Sequence, residues 1–337
     1  MEELQPGYEN CKEFLASFSE CISSFVAWNW DLAQKMETVN YADSILERLT
    51  VLDENPYPLY YAICILKNYT QEYGQVSTLI NRVYEYICTQ DGETSYRAGC
   101  VAFRAGWLCK KYLLMDLADR AYPALANHLD LAEKEYQHCC TNLCTLYIKK
   151  YELEQVDSYL DSADKYIKEA ENIAQNCHDR ALQQGDTEMK RIFHLRLAGV
   201  RMEQADLCMK RLEYLQAEQY LQDAEMILSE YPDNKADYTY LLSKFAILYM
   251  GQKQYDKALK TLLETRILCD SVFSKENDYI LTVNIKLAEC YECTGDTQSA
   301  YREWENVYDI AKEVFVDEHP LLQYIQQKMQ VAREETT

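Results

Sequence analysis

The sequence predicts an all-α solenoid, an open stack of about six to seven helical hairpins closed by a C-terminal capping helix. Two observations carry that prediction. Ala246, Tyr249 and Ala258 recur 42 residues later as Ala288, Tyr291 and Ala300, and similarity at one fixed shift, in sequence with helical spacing, marks stacked hairpins rather than one closed globule. The 337 residues also contain only nine Gly and six Pro, while 48% are hydrophobic. Helix breakers are few and core material is ample.

Taken from the N-terminus, residues 1–55 read as N-terminal helices with a degenerate repeat, in which Ala42, Leu46 and Leu49 end one unit. Residues 56–163 read as weaker repeats. Cys64, Tyr73, Val76 and Ile80 mark the first, Gly106, Ala118, Tyr122 and Leu125 the second, and Tyr147, Val156, Leu160 and Ala163 the third. Residues 164–211 read as an elongated hairpin, because Val156 and Ala217 fill the same slot in successive units yet lie 61 apart, about twenty more than the usual spacing. Two helices, broken at Gly185 and Asp186, are expected to project there from the array, first as a length variant of one repeat and alternatively as a surface for dimerisation or partner docking.

Residues 212–316 read as clear repeats. Ala205, Tyr214, Ala217, Leu221 and Ala224 belong to one; Leu242, Phe245, Ala246, Tyr249, Tyr255, Ala258 and Leu262 to the next, with its helices meeting at 251–254. The last unit carries Leu287, Ala288, Tyr291, Ala300, Trp304 and Val307. Gly295 suits the left-handed position after its first helix, and Asp296 is placed to cap its second. Residues 317–337 read as the capping helix and tail: Pro320 fits a first turn, Leu321, Leu322, Tyr324, Ile325 and Met329 an apolar stripe, and Gln323, Gln326, Gln327 and Gln330 a wet face.

The formal charge of −21 opposes nucleic acid and anionic lipid, which would repel the chain at long range. Solubility, or a basic partner, is the positive inference. No apolar stretch reaches the length of a membrane span, and Glu2 and Glu3 replace the basic start of an export signal, so a cytoplasmic protein is expected. The fourteen cysteines lie mostly on apolar helical faces and read as reduced core residues. Cys290 and Cys293 form a Cys-x-x-Cys pair at a helix end without a second pair, and of His138, Cys139, Cys140 and Cys144 only the last two share a face. Neither group is read as a metal site, and no cofactor, phosphate loop or catalytic constellation is expected.

The spacing of Ala246, Tyr249, Tyr255 and Ala258, and of Ala288, Tyr291, Gly295 and Ala300, resembles the tetratricopeptide repeat, with Thr297 in place of an aromatic and Val307 in place of the last alanine. The period of about 42 looks like the longer repeats of kinesin light chains and bacterial peptide-sensing regulators. The resemblance implies a right-handed superhelix whose first helices line a concave groove for a peptide or a partner's helix. Carried over position by position, it selects Asn68, Phe103, Trp107, Lys110, Lys111, Thr145, Lys149, Met202, Met209, Lys210, Tyr240 and Ile247 as partner-binding residues. Thr141, Ile148, Ser243 and Met250 are further groove positions. Lys110, Lys111, Lys149 and Lys210 would focus positive charge on a peptide carboxylate or acidic segment. The expected function is a non-enzymatic protein- or peptide-binding scaffold, with a possible homodimer. A second reading makes the chain the ligand-sensing region of a signalling protein, whether a peptide receptor, a phosphatase-type regulator or the sensor for an output domain lying elsewhere.

Overall fold

The computed structural model describes residues 129–273, 278–314 and 320–336, with a few isolated positions between 85 and 98. Every extended element within these residues is an α-helix: α1 (Leu129–Glu154), α2 (Ser158–Gln184), α3 (Thr187–Lys210), α4 (Tyr214–Ser229), α5 (Lys235–Gly251), α6 (Tyr255–Val272), α7 (Asp278–Thr294), α8 (Thr297–Val314) and α9 (Pro320–Thr336). The expected all-α array of helical hairpins is thus what the described residues form. The repeats assigned within residues 1–128 lie outside them. Two compact units are distinguished, one containing Ile87–Val272 with Glu289–Gly295, the other Phe273–Ala288 with Asp296–Thr337.

In the first unit α1 packs on α2, α2 on α3, α3 on α4 and α5 on α6, while α3 also touches both α1 and α5. Odd-numbered helices are therefore neighbours along one side. The small residues that define the repeat sit at these contacts: Ala163, Ala205, Ala217, Ala224, Ala246 and Ala258 are wholly buried, because closely crossing helices leave no room for a longer side chain. Gly251 shows how tight one contact is. A Cβ on it would lie 2.7 Å from Cε1 of Tyr214, the first residue of α4.

The long pair breaks where the sequence breaks. Gly185 is left-handed at φ +70°, the Asp186 N–H donates to the Ala181 carbonyl at 2.9 Å, and the Asp186 carboxylate accepts from the Met189 N–H at 2.9 Å. One residue thus ends α2 and the next starts α3. The added length carries its own core, in which Ala174 and Cys177 of α2 meet Phe193 and Leu197 of α3, with Ile173, Met189 and Ile227 around them. Polar ties reinforce it: Arg201 lies 2.5 Å from Glu171, and Gln204 donates to the same carboxylate at 2.7 Å.

In the second unit α8 packs on α9. Trp304 is fully buried and meets Tyr324 edge to face with ring centres 6.1 Å apart, while Leu322, Ile325 and Ala332 are buried and Gln323, Gln326, Gln327 and Gln330 exposed. The half-wet helix expected at 321–334 has this pattern, although Tyr324 lies toward solvent. Asp296 accepts from the Ser299 N–H at 3.0 Å at the start of α8, and hydrogen bonding from the Ser299 side chain and then from its backbone holds the carboxyl below the usual range. Among the cysteines, Cys139, Cys140, Cys144, Cys177, Cys208, Cys269 and Cys290 are buried free thiols. Burial pushes Cys208 and Cys290 up to about 11 and Cys269 up to about 12.

Candidate functional site

The candidate surface is built from the neighbouring faces of α1, α3 and α5. On α1, Thr141 and Thr145 are half-buried one turn apart and Lys149 is exposed. On α3, Glu203 and Asp206 stand three residues apart, so both project from one side of the helix. Lys244 of α5 reaches them from the next odd-numbered helix.

These side chains form a continuous polar ladder. The Thr145 hydroxyl donates to Glu203 Oε2 at 2.8 Å, with the Thr141 carbonyl 3.1 Å away. Lys244 Nζ lies 3.8 Å from Glu203 Oε1 and donates to Asp206 Oδ2. Burial raises the Asp206 carboxyl above its ordinary value, opposed by Lys244 and assisted by Glu203. The ladder is half-buried, so solvent screens it less than an ion pair on an open helix. It spans three successive repeats.

The residues selected from the sequence divide into three groups here. Asn68, Phe103, Trp107, Lys110 and Lys111 lie outside the described residues. Thr145, Lys149, Lys210, Tyr240 and Ile247 are half-buried or exposed. Met202 and Met209 are buried in the fold, leaving little side chain for a partner without repacking. Lys210 ion-pairs with Glu152, and Lys244 with Glu203 and Asp206. On the described part of the face, Lys210 and Lys244 are therefore each matched by carboxylate.

Glu203, Asp206 and Lys244 were not selected from the sequence. Their only signal there is charge on helix positions flanked by Met202, Ala205 and Phe245, which are core residues. A charged residue amid an apolar stripe needs partners, but periodicity alone does not name them.

No protein-family profile and no curated protein matches the chain. Solved structures do resemble it. A putative kinesin light chain of Podosopora anserina with nearly identical TPR-like repeats is 17% identical, with a TM-score of 0.38, over 58% of this chain and 88% of that one. BtubC from P. vanneervenii is 14% identical, with a TM-score of 0.42, over 83% of this chain and 89% of that one. A signal transduction ATPase of Pyrococcus horikoshii with a tetratricopeptide repeat sensor is 12% identical, with a TM-score of 0.44, and the match covers 51% of its length. The first and third of these proteins carry repeats of the tetratricopeptide kind. Among the described residues, no helix is long and apolar enough to cross a membrane.

Proposed function

We propose that this tetratricopeptide-like array is a non-enzymatic cytoplasmic scaffold that holds a protein or peptide segment on the face of α1, α3 and α5. The supporting observation is the ladder from Thr145 through Glu203 and Lys244 to Asp206, which joins three first helices into one surface. Its donors and acceptors are held in place before a partner arrives, which reduces the entropy lost on binding. Exposed Tyr240 and half-buried Ile247 and Met250, all on α5, supply apolar anchors beside it.

The segment this face suits presents both a donor and an acceptor to the ladder, since its charge is balanced. Affinity capture with wild-type protein beside a Tyr240→Ala, Lys149→Glu variant of equal melting temperature tests the reading. A partner retained by the wild type and lost from the variant is the expected result. Equal capture by both proteins would remove the face as the binding surface.

A further inference from the structure

We propose a second docking surface, beyond the Lys210–Glu152 end of the first-helix face, at the edge where α1 turns into α2 and α3 turns into α4, suited to a basic amphipathic segment of a partner protein. The two turns lie side by side. The Arg211 guanidinium is 3.4 Å from both the Leu160 carbonyl oxygen and the Asp161 carboxylate and 3.9 Å from Asp164, while Lys210 pairs with Glu152.

Three apolar residues are exposed on this edge: Val156 at 42%, Leu212 at 70% and Leu215 at 85%. Scattered singly they would call for no explanation. Leu212 is different, because it also adopts a left-handed backbone at φ +61°. In that conformation the Glu213 N–H donates to the Cys208 carbonyl at 2.8 Å and closes α3. Glycine or asparagine fills such a position without strain and without placing hydrocarbon in water. Leucine here satisfies neither the backbone nor the solvent, and its side chain buries little within its own chain.

Charge identifies the partner. Segments 150–164 and 210–216 contain six carboxylates, on Glu152, Glu154, Asp157, Asp161, Asp164 and Glu213, against three cations within them, Lys150, Lys210 and Arg211, with Lys168 of α2 pairing Asp164 from outside. Each cation is already engaged, Lys150 with Glu154 at 3.9 Å and the other two as above. The apolar residues are therefore rimmed by excess negative charge. A helix presenting Leu or Ile on one side and Lys or Arg beside it complements both features, and an acidic or neutral apolar segment does not.

The test is fluorescence anisotropy with a labelled amphipathic peptide of about 14 Leu and Lys residues, beside a version with every Leu changed to Ser. Wild-type protein is compared with Leu212→Asn, Leu215→Gln and, separately, Tyr240→Ala. The expected result is binding of the Leu/Lys peptide that weakens roughly tenfold or more in the double variant and is unchanged by Tyr240→Ala, which reports on the first-helix face. Asparagine suits the left-handed turn, so the double variant is expected to melt no lower than wild type. Equal binding of the Ser/Lys peptide, unchanged affinity in the double variant, or a sharp fall in its melting temperature would each overturn the proposal. So would sedimentation showing a dimer that the double variant abolishes, since a second copy would then cover the edge.

Discussion

Gly251 and the left-handed turn residues show how closely single positions are specified. Alanine is the better helix former by up to about 1 kcal/mol, yet at 251 its Cβ would meet the Tyr214 ring at 2.7 Å. Gly251→Ala is therefore expected to lower stability by about 1 to 3 kcal/mol, measured by urea denaturation, with a smaller loss when Tyr214→Ser is introduced with it. A stabilised single variant would show that the ring yields freely. The turn after α7 was legible in the sequence because Gly295 and Asp296 are the residues such a turn favours. Gln155, Leu212 and Lys253 occupy left-handed turns as well, but L-residues there announce nothing. Each costs roughly 1 kcal/mol or more in backbone strain, and only the repeat period points to where they stand.

At the level of elements, the additional residues between Val156 and Ala217 were readable as longer helices, because the break at Gly185 and Asp186 is written in residue types. What fills the space between those helices was not. Alongside the Phe193 core, the rings of His178 and His194 lie 4.7 Å apart, and His194 Nδ1 is 3.0 Å from the Tyr231 hydroxyl. Arg191 adds an ion pair to Asp233 at 2.5 Å. Burial holds His194 below the usual imidazole range; Glu230 opposes that shift, and His178 and Lys190 add to it. The folded protein thus favours neutral His194, while the unfolded chain takes up a proton near pH 6.5. The stability contributed by His194 is full above that pH and is lost as pH falls through it. Thermal melts from pH 7.5 to 5.5 are expected to drop more steeply for wild type than for His194→Gln, and the comparison separates this group from Asp206. Parallel curves would show that His194 does not set the dependence.

Across the whole molecule the dominant quantity is charge, 55 acidic residues against 34 basic ones. Self-repulsion at that imbalance opposes compactness, whereas the half-buried pairs of the ladder are poorly screened by salt. Raising sodium chloride from about 20 to about 200 mM is therefore expected to raise the melting temperature; a fall would mean that screened ion pairs outweigh relieved repulsion. The same abundance explains what the sequence concealed about the candidate face. Lys149 and Lys210 could be placed on it by their repeat positions. Glu152, Glu203 and Asp206 could not be singled out from so many carboxylates, while Lys110 and Lys111, the other half of the expected positive focus, lie outside the described residues.

The ladder has a bearing on how the array comes apart. A stack of repeats held only by apolar contact loses its units one after another, each interface failing on its own account. Lys244 touches two carboxylates of the preceding repeat, and one of those holds a threonine of the repeat before it. An unfolding front entering at α5 thus leaves Glu203 and Asp206 without their cation before it has reached α3, and that uncompensated charge draws the neighbouring unit into the same event. These three repeats are therefore expected to melt as one cooperative block, with the boundaries of cooperativity set by side chains rather than by the repeat length.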